Sequence, residues 1–353
     1  MWRVSLSLLT HRFFLTVVAL CAINFHVFDT EKKQVQLSIQ PLPTLWEQFI
    51  QKASNTPEAT ELKQFSGQSF LQIVSQKKDP FIWLGKIFGE LLGLPSGITV
   101  LILSNIFLFL FLAELYAMVN LMALPDVAVD TCILAILWLT SYELSFGSTL
   151  SLSCFLSVYV LRHGMDNRWL LAGLALGVLA VNKPFAIFLI PLLLLIFWNQ
   201  QRHFAMAEIS RRALYLIIPV GLAVFFNWSL YENSPAIIYD SAFFNLLAAA
   251  QQQQNFTWAV SQTYLGQSIA ILILLIGTVA SFFIFSTFLH RVLPLFLLIA
   301  LLLSTPYRDI ATYTLLAAPA FSGIAEGSAS GVLKTVQGCF LIFGALEVFK
   351  IFS

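Results

Sequence analysis

Charge is what this sequence has least of. Asp, Glu, Lys and Arg make up only 10% of its 353 residues, where an ordinary soluble domain carries about 25%. That shortage excludes a chain whose surface is mostly wet. The net charge of +1 gives no basic field, which excludes nucleic acid as a partner. Cysteine is scarce too: Cys21, Cys132, Cys154 and Cys339 lie in or beside apolar segments without CxxC spacing. They read as buried small hydrophobes, not as a disulfide framework. The five histidines never form HxxxH or HExxH, which argues against a zinc site built by the protein. There is no Gly-rich nucleotide loop. No internal repeat stands out, so a transporter built from paired inverted halves lacks its usual signature.

What fills the chain is apolar: 58% hydrophobic residues and a mean hydropathy of +0.83. The expectation is an all-α polytopic membrane protein, with residues 1–353 forming one integral domain. A span needs about 20 apolar residues, fewer where a helix is short or broken. Candidate spans fall near 12–28, 97–120, 127–141, 146–161, 168–181, 184–198, 213–230, 266–288, 292–305, 311–326 and 333–351, about eleven in all. The N-terminus has a basic start and an apolar run but no small-x-small cleavage site, so it reads as an uncleaved first span.

Lys and Arg in short connections set the orientation. Arg3 and Arg12 precede the first span, Arg162 and Arg168 flank one link, Arg202, Arg211 and Arg212 occupy another, and Arg291 follows His290. All fall on one side, which is cytoplasmic when the N-terminus is. The other side receives a long loop at 29–95, a second at 231–265, and the turns near 142–145, 182–184 and 306–310.

That outer side collects the polar features. Within 29–95, the stretch P-F-I-W-L-G-K-I-F-G-E-L-L-G carries Phe81, Leu84, Ile87, Phe88 and Leu91 at helical spacing, with Lys86 and Glu90 four apart on another side. It reads as an amphipathic helix along the outer membrane surface, ended by Gly93 and Pro95. Such a loop either packs simply over the bundle or roofs an outward cavity. Asn255-Phe256-Thr257 and Asn227-Trp228-Ser229 match glycosylation acceptor patterns, which recur by chance. Lys183 sits in A-V-N-K-P-F, at the outer joint of two short spans, with Pro184 suited to the first turn of the next helix. It is either a snorkelling lysine or a site residue. Together with Glu143, Arg308 and Asp309 it puts both signs of charge on one face. That arrangement suits a phosphate-bearing lipid, with cations on the phosphate and a carboxylate on a hydroxyl.

The stretch S-Y-E-L-S-F-G through W-L-L-A-G-L-A-L-G-V-L-A-V-N-K-P-F-A resembles the central region of the GT-C superfamily of polyprenyl-phosphate-dependent membrane glycosyltransferases, and within it the PIG-V-like mannosyltransferase family. The resemblance rests on Tyr142 and Glu143, Arg162, the 169–178 run, and Lys183-Pro184, where arginine-proline is usual. Ser304, Tyr307-Arg308 and Pro319 resemble a later S-x-x-R-Y element and its proline-containing span. In the first loop, F-S-G-Q-S-F-L-Q-I-V (65–74) follows the family's apolar pattern, but Ser66 stands where the family has an aspartate. A serine cannot act as a carboxylate base. Asp29, just beyond the first span where some superfamily members place their carboxylate, is one substitute, and Asp79 is a second.

The resemblance implies a GT-C-like bundle and an inverting transferase drawing on a polyprenyl-phosphate sugar, mannose among the candidates. Lys183, Tyr307 and Arg308 then hold the lipid phosphate, Asp29 or Asp79 serves as base, and Glu143 orients sugar or acceptor. A divalent cation is the one cofactor it allows for. The other expectation is a non-catalytic relative that binds a lipid-linked glycan or assists a protein partner in glycan assembly. The compact length favours a bacterial cytoplasmic (inner) membrane over the endoplasmic reticulum.

Overall fold

The computed structural model describes residues 50, 53–65, 68, 79–138, 144–145, 147–183, 185–201, 206–226, 262–306, 309–327 and 337–338. Every regular element among them is helical. In chain order these are α1 (Pro57–Gln64), α2 (Pro80–Leu92), α3 (Ser96–Met122), α4 (Pro125–Ile136), α5 (Thr149–Met165), α6 (Trp169–Asn182), α7 (Phe185–Gln201), α8 (Met206–Phe226), α9 (Gln262–Ile284), α10 (Phe288–Ser304), α11 (Ile310–Tyr313), a 3₁₀ segment (Thr314–Ala320) and α12 (Phe321–Gly327). The expected span at 12–28 and all but 337–338 of that at 333–351 lie outside the described residues, as does the loop at 231–265 up to 261; its last residues, 262–265, already belong to α9.

Local chemistry explains where these helices start and stop. Asp79 caps α2 by accepting from the Phe81 N–H at 2.9 Å, Pro80 fills the first turn, and Gly93 closes the helix in the left-handed region at φ 63°. After α5 the chain turns through Asn167, at φ 64°. There the Arg168 N–H reaches His163 O at 2.8 Å and the Asn167 N–H reaches Gly164 O at 3.2 Å, the paired bonds of a Schellman turn.

The expected apolar segments that fall among the described residues are helices, and several are short. Only α3, with 27 residues and a mean hydropathy of 2.3, is long and apolar enough among the described residues to cross a membrane by itself. Trp169–Val181, Phe185–Gln200, Ala270–Ile284 and Phe288–Ser304 are apolar but shorter. The segment expected as one span at 311–326 is broken: α11, the 3₁₀ turn and α12 follow one another, with non-helical backbone at Ala317 and Pro319 inside.

Consecutive helices pack side by side as hairpins, notably α3 with α4, α5 with α6, and α9 with α10, and α8 returns along α6. Glycines set the closest approaches. On α6, a Cβ at Gly173 would collide with the Tyr215 carbonyl of α8, and one at Gly177 would come 3.0 Å from Pro219. The broken segment lies at the centre, with Thr314–Ala320 buried against α10, α5, α9, α3 and α4. A 3₁₀ turn leaves carbonyls without their α-helical partners, and neighbours supply them. Trp138 Nε1 donates to Ala311 O at 2.8 Å, and Ser157 Oγ donates to Leu316 O at 2.9 Å.

The amphipathic reading of α2 needs correction in register. Phe81, Ile82, Gly85 and Lys86 face inward, whereas Leu84, Ile87 and Leu91 of the expected stripe are exposed, Leu91 to 78%. Gly85 is the reason: without a Cβ it admits the Leu62 side chain of α1, whose Cδ1 would lie 2.9 Å from a Cβ there. Lys86 pairs with Glu90 at 2.6 Å as the spacing suggested, yet it is buried and also donates to Phe65 O at 3.1 Å.

Candidate functional site

The hairpins alternate in direction, so one end of the bundle gathers the start of α3, the turn before α5, the joint between α6 and α7, and the start of α11. Cross-links between distant parts of the chain fix this end. Glu58 of α1 accepts from the Thr149 N–H at 3.2 Å, placing a carboxylate on the N-terminus of α5, where the helix dipole favours negative charge. Asn105 of α3 donates to Ser145 O at 3.1 Å, tethering the turn that follows Glu143. Gly97 meets Ser54 so closely that a Cβ would collide with it. The described part of the 29–95 loop is therefore packed onto the bundle and not held away from it.

Lys183 is at this end. It is the C-cap of α6 with extended backbone, its N–H donating to Leu179 O at 2.9 Å. A lysine that only served the helix dipole would turn its ammonium back onto the last carbonyls. Instead Nζ donates to the hydroxyl of Tyr313, 130 residues away in sequence, at 3.1 Å, and lies 4.8 Å from the centroid of that ring. Lys183 is half-buried, and no carboxylate pairs with it among the described residues. Tyr313 closes α11 immediately before the buried 3₁₀ turn, so its backbone is held by the same bonds that hold the break.

Asp79 is the second candidate that the structure describes. Its carboxylate caps α2, which by itself accounts for an aspartate before Pro80. Asp29, Glu143, Tyr307 and Arg308, together with Ser66, lie outside the described residues. Asp309 precedes α11 and offers that helix no side-chain cap bond. No group of three His, Cys, Asp or Glu side chains gathers among the described residues. Cys132 and Cys154 are buried free thiols, the expected small hydrophobes. A shallow apolar groove of about 440 Å³ runs along α3, lined by Leu101, Ile102, Asn105, Ile106, Phe109 and Leu110. Its one polar group, Asn105, is bonded to Leu101 O and Ser145 O, so the groove carries no chemistry of its own.

The opposite end holds charge of a different kind. Glu114 of α3 accepts from Arg162 Nη1 of α5 at 2.7 Å, with Asp166 3.7 Å from Arg162 Nε. Gln200 donates to Gly164 O and Met165 O, and Arg212 donates to Asn167 Oδ1 at 2.6 Å. These contacts clamp the α5–α6 turn from α3, α7 and α8. Arg162 is thus a structural partner of α3 as well as a flank of the link. Glu114 and Tyr313 were missed in the sequence. The signal for Glu114 was a lone carboxylate inside a long apolar helix, which calls for a cation at matching depth. For Tyr313 there was only its place in S-T-P-Y-R-D-I-A-T-Y.

Comparison with protein-family models, with curated proteins and with solved structures finds no match to this chain. The likeness to membrane glycosyltransferases rests on the quoted residues alone.

Proposed function

We propose that the chain is a multi-pass protein of a bacterial cytoplasmic membrane whose outer end binds a polyprenyl-phosphate sugar and transfers the sugar to an acceptor hydroxyl. The observation that carries this reading is Lys183: a half-buried ammonium held by a phenol, without a carboxylate partner among the described residues. Membrane embedding is supported by the outward faces of the helices. Phe283 is 84% exposed, Phe225 73% and Trp198 71%, each among other exposed apolar side chains. In water such faces would aggregate, whereas lipid solvates them. The orientation is supported by Arg162, Arg168, Arg211, Arg212 and Arg291 in the connections away from the Lys183 end.

The chemistry is a displacement at the anomeric carbon. Lys183, with Tyr307 and Arg308, neutralises the lipid phosphate. The acceptor oxygen forms its bond to the sugar as the sugar–phosphate bond breaks, and the electron pair leaves on the phosphate. The acceptor proton passes to a carboxylate. Asp29 takes that role, since Asp79 is engaged as a helix cap, and Glu143 orients the reactants. Cationic contacts that strengthen as the phosphate departs are the main source of catalysis in such a site.

A second reading has its own observation. With Ser66 in place of the family aspartate and Asp79 committed to α2, the fold would bind a lipid-linked glycan, or serve a partner in glycan assembly, without turnover. One experiment separates the two: purified protein in lipid nanodiscs, given a radiolabelled polyprenyl-phosphate sugar and membrane acceptors. Turnover that Asp29→Asn abolishes while donor binding persists supports the transferase. Binding without turnover in the wild type overturns it in favour of the second reading.

A further inference from the structure

We propose that Lys183 and Tyr313 form a single phosphate clamp, in which Tyr313 both positions the ammonium and donates a hydrogen bond from its own hydroxyl to the ligand. This rests on the reading that the Lys183 end receives a lipid phosphate, and it adds a residue that the sequence likeness does not supply.

The argument is one of donors. An ammonium has three N–H donors and no acceptor. One of the three goes to the Tyr313 oxygen at 3.1 Å. Because that oxygen is accepting from Lys183, the phenolic O–H is directed elsewhere. The pair therefore offers two N–H groups and one O–H, all donors, beside one another. That set matches the oxygens of a phosphate ester and does not match a cation; a sugar hydroxyl also accepts from such donors but brings no negative charge to answer the ammonium.

The charge balance points the same way. Lys86 pairs with Glu90, and Arg162 with Glu114 and Asp166; among the described residues half-buried Arg291 donates instead to Phe285 O. Lys183 has a neutral phenol, whose ring face adds a modest cation–π attraction at 4.8 Å. No carboxylate pairs with Lys183 among the described residues, and a bound anion lowers the cost of a half-buried cation.

Tyr313 is also held stiffly enough to act as a reference point. Thr314 Oγ1 donates to Ile310 O at 2.7 Å and Trp138 Nε1 to Ala311 O at 2.8 Å, bracketing the residue on both sides. The Trp138 indole in turn packs on Phe321, with ring centroids 5.4 Å apart. The broken helix thus presents the phenol, and the phenol presents the lysine, before a ligand arrives. Such preorganisation lowers the ordering cost of binding.

The test uses the full-length protein in phosphatidylcholine nanodiscs titrated with a fluorescent polyprenyl phosphate, with inorganic phosphate as soluble competitor. Wild type, Tyr313→Phe, Lys183→Met and the double variant are compared, with thermal unfolding followed in parallel. Tyr313→Phe removes one oxygen and should leave unfolding unchanged while weakening lipid binding about tenfold, the scale of one hydrogen bond to a charged group. Lys183→Met should weaken it at least as much. The double variant should lose less beyond Lys183→Met than Tyr313→Phe loses in the wild type, because only the phenol's own hydrogen bond is left to remove once the lysine it positions is gone. Independent, multiplicative losses would overturn the positioning role. Wild-type affinity in Tyr313→Phe would overturn the clamp while leaving the lipid-phosphate reading standing. No lipid binding by the wild type would overturn both, and displacement by millimolar inorganic phosphate would overturn the lipid as the source of the anion.

Discussion

Glu114 and Arg162 meet at 2.7 Å across α3 and α5, far from the Lys183 end, with side chains only 15% and 25% exposed. Removing one partner leaves a mostly buried charge, which costs more than the pair was worth. Asp166, 3.7 Å from the guanidinium, softens that loss for Arg162. Glu114→Gln should therefore destabilise the protein by about 2–3 kcal/mol. Combining it with Arg162→Gln should recover part of the loss. A double-mutant cycle on thermal unfolding in detergent should return a coupling of about 1–3 kcal/mol, and additive effects would show that the two residues do not act as a pair.

The glycine contacts can be tested against a control inside the same helix pair. Gly173→Ala places a methyl against the Tyr215 carbonyl, and backbone on both sides cannot give way cheaply. It should force α6 and α8 apart at a cost of about 1–3 kcal/mol. Gly221 lies on α8 with nothing near its would-be Cβ. Gly221→Ala should be neutral or stabilising, by up to about 1 kcal/mol, because alanine loses less backbone freedom in a helix. Equal effects at both positions would refute the close-approach account.

Helix ends were legible where a single residue type decides them. Gly93 and Pro95 mark the end of α2 and the start of α3 because left-handed backbone and a missing N–H are local properties. The facing of α2 was not legible from its stripe. Where helices also expose many large apolar side chains, as at Leu84, Ile87 and Leu91, leucine periodicity does not say which face is inward. There Gly85 and Leu62 decided the facing, and neither is an amphipathic signal. The break at 314–320 was visible only as Pro319, since the helix can be given up there only because Trp138, just beyond α4, and Ser157 of α5 supply donors. The Lys183–Tyr313 bond is hidden for the same reason: it joins residues 130 apart. Lysine at the joint was readable as unusual, but its partner was not.

The proposed orientation can be checked on intact cells. In a variant with all four cysteines replaced, Asn55→Cys probes the α1 end and Ala207→Cys the arginine-rich end; both positions are exposed. A membrane-impermeant maleimide added outside should label Asn55→Cys alone, and permeabilised cells should show both labelled. The reverse pattern would place Lys183 on the cytoplasmic side and remove the outer-face donor site. Labelling of both in intact cells would mean that no bilayer separates the two ends.

Asp79 separates a structural carboxylate from a chemical one. As the cap of α2 it needs a side-chain oxygen to accept from the Phe81 N–H, and asparagine supplies that oxygen nearly as well. Asp79→Asn should thus leave stability within about 0.5 kcal/mol of wild type, while Asp79→Ala should lose about 0.5–2 kcal/mol. A general base behaves differently. Asparagine cannot take a proton, so replacing a working base costs about 10²–10⁴ in rate whatever happens to stability. With Asp29 as the base, Asp79→Asn should transfer sugar at the wild-type rate in the nanodisc assay. A hundredfold fall in turnover with unchanged unfolding would move the base from Asp29 to Asp79. It would also mean that α2 presents its capping residue to the substrate.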